Sequence, residues 1–561
     1  MLTLLSAVII FLPKVEVTSF QTKATYAEAV FNQSKVSKIE ITLDDADLQD
    51  ILDNPSEEKM VRASVTFNGK EVNDVGFRIK GNMTLRSVEQ MENSDRYSFK
   101  VDFDYYDESN NLYGLKKLNL NNQYSDSTLA REYVSYQLMD TMGIPTPGNS
   151  YMYVTINGQE WGLYLGVEAI EETFLAQHFA DGTGDLYKPD GVGSDLAWIS
   201  DDITDYTGLN LKTNESSSNQ SEMMQLLDVI NNGGDLEEVM DVDEMLRYFA
   251  VNTALVNLDH YQGSMKHNYY LYEEDGIFSI LPWDYNMSFG GFGGGGGGRG
   301  AQPASNPDNT EVRGNRANDE EAVAAGGNQP ALGNPGGMMS GSLINENSIN
   351  FSITNPVSGT TLEERPLLDA LLSVDEYREQ YYDYLEEIAE SFFTESNMSQ
   401  ITNQLTALLT TYVEQDPTKF TTMEQFLEGM SGENSLVEFA VQRADSILKQ
   451  LSGELVVESE TESGFGDFQR PNMANGEVPN EGPPDMANGK MPNGGPPDMA
   501  NGEMPDLENG NPPAMEEGGM QGIRESQPSG ISSQTMIVNG ICILLLIVAI
   551  YFVYRFKRRT I

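Results

Sequence analysis

Asp259 and Asp284 are the residues of this chain best placed to do chemistry together. They flank a segment that reads as strand, turn and strand. Tyr269, Tyr270, Leu271 and Tyr272 are β-formers, Glu273 to Gly276 is a turn, and Ile277 to Leu281 is apolar again. A hairpin returns its ends to one place, so the two carboxylates can converge. Such a pair suits phosphoryl transfer, in which one aspartate orients the attacking hydroxyl and a second holds the metal on nucleotide phosphates. Hard oxygen donors of this kind select Mg2+ or Mn2+. Asp259 follows the helical run Met245 to Leu258, where an aspartate also serves as a helix-terminal cap. His267 sits beside tyrosines and reads as a packed hydrogen-bonding group before it reads as a ligand.

The elements that must position this pair are mixed, so the class is α+β. Lys38 to Leu43, Arg62 to Phe67, Val75 to Ile79 and Tyr97 to Phe103 alternate apolar and polar residues, as half-buried strands do. Leu129 to Met142 has helical spacing and stops at Gly143, with Pro145 and Pro147 behind it. Tyr151 to Ile156, the Asn157-Gly158 turn and Trp161 to Val167 give a hairpin. Helical periodicity returns from Leu362 to about Leu451.

Between and after these segments the composition collapses. Residues 289–342 are rich in Gly, Asn and Pro and hold few large apolar side chains, so they read as a disordered insertion. The glycine run has no following Lys-Ser/Thr and is not a phosphate loop of the Walker type. Residues 463–530 repeat MANG at Met473, Met486 and Met499 between PPD units, which predicts an extended, flexible stalk. Residues 536–554 are apolar and long enough for a transmembrane helix. Arg555, Lys557, Arg558 and Arg559 follow, so the tail 555–561 is expected in the cytoplasm and the large N-terminal part outside the cell membrane, with a single pass. The apolar run within residues 1–20 resembles a signal peptide but lacks the basic residues that normally precede one.

Lys and Arg total 34 against 86 Asp and Glu, a formal net charge of −52. So acidic a chain repels nucleic-acid phosphates, and a nucleic-acid partner is not expected. The single cysteine, Cys542, lies in the apolar C-terminal run, so no disulfide staples the folded part.

HNYYLY followed by PWDYN resembles the signature of the CotH family, the spore-coat kinases with an atypical protein-kinase fold. VGFRIKGNMT, YSFKVDF, TMGIPTP, NGQEWGLYLGVEAIEETFL, LYKPDG and ERPLLDALL follow the family's order over roughly residues 35–455. The resemblance implies a two-lobed fold, a β-rich small lobe and a helical large lobe, made from residues 35–288 and 343–455. It implies ATP with Mg2+ or Mn2+, and Ser/Thr hydroxyls of surface or coat proteins as acceptors. Asp259 becomes the catalytic-loop aspartate. Lys100 resembles the small-lobe lysine on phosphate, with Glu132 as its ion-pair partner. Arg78, Lys80, Glu168 and Lys188 become nucleotide contacts, Glu168 at the hinge beside the adenine. Asp284, Asn268 and Asn286 become metal ligands. Asn268 lies farther from Asp259 than the H-R-D-x-x-x-x-N spacing places its asparagine. The family's usual motif is closer to P-W-D-x-D, and Asn286 replaces its second acid.

Two function classes remain open in the sequence. One is a membrane-anchored Ser/Thr protein kinase. The other is a non-catalytic surface adhesion or binding protein on the same fold, which the scarcity of ATP outside a cell favours. A hydrolase is a distant third, because neither a nucleophile elbow nor a His-rich metal motif is present.

Overall fold

The computed structural model describes residues 25–291 and 343–457. Residues 292–342, which make up most of the expected insertion, lie outside the described residues. So do the signal-like segment 1–20, the stalk 463–530, the span 536–554 and the tail 555–561. Among the described residues no helix is long and apolar enough to cross a membrane.

Seven strands close into a barrel. They are β1 (Ser37–Leu43), β2 (Val61–Phe67), β3 (Lys70–Lys80), β4 (Ser98–Asp102), β5 (Lys117–Asn121), β6 (Asn149–Ile156) and β7 (Gln159–Glu168), in the order β1-β2-β3-β4-β5-β7-β6. β6 returns parallel to β1, with Ile39 opposite Val154, and this pairing closes the ring. The alternating strands legible in the sequence fit an open sheet equally well. Closure depends on this one long-range pairing, which leaves no exposed edge. The period-2 pattern explains the filling. Ile39, Ile41, Val65, Phe77, Phe99, Val101, Leu118, Leu120 and Val154 are buried in one core.

A second core surrounds the helix Val242–Leu255, most of which is buried. It takes in β8 (Asp185–Pro189), β9 (Leu209–Leu211), β10 (Tyr269–Glu274) and β11 (Ile277–Pro282), a sheet of order β11-β10-β8-β9. The helices Pro366–Ser373, Asp375–Glu387, Glu395–Gln415 and Leu436–Leu451 complete it.

Arg96 and Asp416 join the two cores. Both are almost fully buried, and Arg96 Nη1 lies 3.0 Å from Asp416 Oδ2. Asp416 also accepts the Leu163 N–H at 2.8 Å. Gly162 makes the approach possible: its φ is +98°, and a Cβ there would lie 2.0 Å from Asp416 Oδ1.

Candidate active site

Strand alternation supplies the first wall. Arg78 pairs with Lys100 and Lys80 with Ser98, while Lys100 pairs with Asn119. Arg78, Lys80, Lys100 and Asn121 therefore share the outer, polar face of the barrel, opposite Phe77, Ile79, Phe99 and Val101. The helix Arg131–Thr141 places Glu132 against this face, where both Glu132 oxygens accept from Asn121 Nδ2 at 3.1 and 2.9 Å. Lys80 Nζ donates to Asn121 Oδ1 at 3.0 Å.

The hairpin supplies the second wall. Tyr269 pairs with Pro282, so Asn268 and Trp283 leave the two strands side by side. Asp259 is buried, and both its oxygens are engaged: His267 Nε2 lies 3.0 Å from Oδ1, and Asn268 Nδ2 donates to Oδ2 at 3.2 Å. The same Asn268 amide donates to the Asp259 carbonyl at 2.9 Å. Asp284 is half-buried and left-handed, with φ +59°. Asn268 at φ +59° and Val256 at φ +50° share that conformation, which asparagine tolerates better than most residues and a β-branched residue rarely adopts.

Electrostatics bring the two walls together. Burial pushes the Asp284 carboxyl above its ordinary range, and the charge of Asp259 pushes it further. Lys80, His267 and Lys188 pull it back. Burial pushes Lys80 down to about 8 against the pull of Asp284 and Glu132. Burial also lowers Lys188, again opposed by Asp284. Glu132 is raised to about 7 by burial and by Asp284. Burial disfavours charge on His267, but its bond to Asp259 together with the charges of Asp259, Asp190 and Asp284 outweighs that and lifts it above 6.5. The Trp283 ring centroid lies 5.4 Å from Lys80 Nζ and 5.8 Å from Lys188 Nζ, within cation–π reach of both. Two lysines and two aspartates thus share one partly desolvated neighbourhood.

Among the described residues no three His, Cys, Asp or Glu side chains form a metal cage. A nucleotide-bound Mg2+ needs none, since one or two carboxylates, phosphate oxygens and waters complete its shell. Asp284 fits that role. Its carboxylate is strained toward protonation by burial and by Asp259, and a divalent cation would reverse both effects.

A family profile described as "CotH kinase protein" matches residues 77–447. The chain belongs to the CotH family. Inner spore coat protein H of Bacillus subtilis (strain 168) is 25% identical over 272 residues, which cover 46% of this chain and 70% of that protein. The inner spore coat protein H-like protein of the same organism is 29% identical over 114 residues, covering 19% of this chain and 36% of that protein. The CotH match begins at Phe77, inside β3, so β1 and β2 precede it.

The residues that the CotH resemblance singled out do not all gather. Asp259, Asn268, Asp284, Lys80, Lys188 and Glu132 do. Asn286 lies two residues past Asp284 and is half-buried. Lys100 faces the same cleft but pairs with Glu171 at 3.2 Å. The expected Lys100–Glu132 pair is therefore not formed, and Lys80, through Asn121, takes that place. The reason is register: Lys80 and Asn121 both sit at the strand ends nearest the helix carrying Glu132. Arg78 is held by Glu58, whose other oxygen accepts the Gly81 N–H at 3.2 Å. Glu168 faces away from the cleft. Its carboxylate accepts from the Tyr26 hydroxyl at 2.7 Å and the Gly148 N–H at 3.0 Å. Asn121, Tyr136 and Trp283 went unassigned in the sequence. The KLNLN alternation of β5 was the readable signal for Asn121.

Proposed function

We propose that the chain is an atypical two-lobed protein kinase that transfers the γ-phosphoryl group of ATP to Ser or Thr hydroxyls of partner proteins. In this reading the barrel serves as the small lobe and the helical core as the large lobe. The observation that carries it is the shared neighbourhood of Lys80, Lys188, Asp259 and Asp284 around Trp283. Lys80 and Lys188 take the phosphate oxygens of the nucleotide. Asp284, with the amide oxygen of Asn286, would hold Mg2+ or Mn2+, which neutralises phosphate charge when bound. Asp259, fixed by His267 and Asn268, orients the acceptor hydroxyl and takes its proton. The hydroxyl oxygen forms the bond to the γ-phosphorus, and the bond to the bridging oxygen breaks to release ADP.

The names of the relatives extend the reading to partner, and the apolar run 536–554 with its basic flank extends it to place. We assign the acceptors to surface or coat proteins, and the span 536–554 to a membrane anchor with the tail 555–561 in the cytoplasm. The test is the full chain in detergent with γ-labelled ATP and Mg2+ or Mn2+. Label passes to the chain itself or to a test protein, and Asp284→Ala lowers transfer at least a hundredfold. No label from wild type or from Asn286→Asp overturns the reading. One observation favours the alternative, a non-catalytic surface protein: Asn286 stands where the family carries its second acid. That alternative requires a melting point that ATP and metal leave unmoved.

A further inference from the structure

Lys80 ends β3 and Asp284 follows β11, so different elements carry the two groups that would address nucleotide and metal. A chain of hydrogen bonds connects them. Lys80 Nζ donates to Asn121 Oδ1 at 3.0 Å, and Asn121 Nδ2 donates to both Glu132 oxygens at 3.1 and 2.9 Å. The Tyr136 hydroxyl donates to Glu132 Oε1 at 3.2 Å and accepts the Asp284 backbone N–H at 3.2 Å. Every donor points toward Glu132, so both arms end on one acceptor.

The Tyr136 arm has a specific task. Asp284 holds a left-handed backbone at φ +59°, a conformation that is strained for a residue with a side chain and persists where the surroundings fix it. The Tyr136 hydroxyl receives the N–H of that residue. Tyr136 itself cannot drift: it lies one turn beyond Glu132 on the same helix, is fully buried, and packs its ring 5.5 Å from that of Tyr285. Burial raises the Tyr136 hydroxyl well above 10, so it stays a donor at any physiological pH.

We propose that Asn121 and Tyr136 are positioning residues that, through Glu132, set the phosphate-binding lysine and the metal-binding aspartate relative to each other. The proposal rests on the kinase reading and names how its two charged halves are kept in register. The arms are separable. The Asn121 arm serves Lys80 and therefore nucleotide with or without metal. The Tyr136 arm serves Asp284 and therefore only the metal-bound nucleotide.

The experiment measures ATP affinity of the full chain with Mg2+ and, separately, with metal removed. Tyr136→Phe weakens the Mg2+ form about five- to tenfold, the worth of one hydrogen bond, and leaves the metal-free form within about twofold. Asn121→Ala weakens both forms by similar factors. Equal losses in both forms for Tyr136→Phe mark a merely structural residue and overturn the proposal, as does no loss in either. Should Tyr136→Phe not fold, the half-buried Asn121 still decides, because unchanged metal-free affinity in Asn121→Ala overturns the lysine arm. Wild type that binds ATP in neither condition sinks the kinase reading and this inference with it. Wild type that binds while the variants' ratios stay fixed sinks this inference alone.

Discussion

Arg96 and Lys80 are both cations carried by the barrel side of the molecule and turned toward the second core, yet their surroundings differ in kind. Arg96 spends its donors on fixed partners: Asp416, the carbonyls of Asn122, Trp161 and Leu163, and Thr418. Lys80 has three donors and uses one of them, on Asn121, among the described residues. It lies near carboxylates that hold it only partly against the cost of burial, and it falls to about 8. A fully satisfied buried cation fastens two parts of a structure together. A half-satisfied one is poised for an anionic visitor, which in the proposed kinase reading is a nucleotide phosphate.

The sharpest way to break this comparison is Asp416→Ala. It leaves Arg96 buried without its countercharge, and such a change costs about 3–5 kcal/mol. Chemical denaturation reads the loss, and a cost under about 1 kcal/mol would show that the pair is not what fastens the barrel. Lys80→Met should behave in the opposite way. Its stability stays within about 1 kcal/mol of wild type, because a desolvated lysine is exchanged for an apolar side chain of similar length. Phosphotransfer falls about a hundredfold or more, the usual effect of removing a cation or donor aimed at developing charge. A large stability loss with intact ATP binding would assign Lys80 to the scaffold instead.

The same contrast explains what the sequence disclosed. The strands around Lys38, Arg62 and Tyr97 and the hairpin from Tyr269 to Leu281 were legible, because alternation and turn residues are local signals. Asp259 and Asp284 could be singled out because one hairpin separates them. Barrel closure was not legible, since it needs β6 beside β1, a pairing between distant segments. Lys100 drew attention over Lys80 for a related reason. Lys100 sits mid-strand in a clean alternating run, whereas what distinguishes Lys80 is the helix carrying Glu132, brought close only by tertiary packing. The Arg96–Asp416 contact spans most of the folded chain and left no local mark.

Two buried glutamates allow a finer comparison, because burial raises both Glu132 and Glu168 to about 7. Glu168 lies outside the cleft, so its ionisation reports on stability alone. Its folded value exceeds its ordinary 4.5, so the folded state holds the proton more tightly than the unfolded chain does. The stabilisation is complete below pH 4.5 and is lost as pH rises through about 7. Glu168→Gln should therefore match wild type near pH 5 and exceed it at pH 8 by on the order of 1–3 kcal/mol. Melting curves at the two pH values check this, and a variant less stable at pH 8 would mean that the charged carboxylate is needed by Tyr26 and Gly148.

Lys100 gives the smallest expected effect and the most direct comparison with Lys80, since the two project from neighbouring strands onto one face. Lys100 already has an anionic partner in Glu171, and both side chains remain partly open to solvent. Pairs of that kind contribute about 1 kcal/mol or less. Glu171 would lose little by the change, because Lys117 Nζ also reaches it. Lys100→Ala should thus shift the melting point by no more than a few degrees. It should also weaken ATP binding by less than about threefold, the residue of a long-range charge effect screened by solvent. If the loss instead equals that of Lys80→Met, an arriving nucleotide must draw Lys100 off Glu171, and the two lysines then act on the phosphates as a pair.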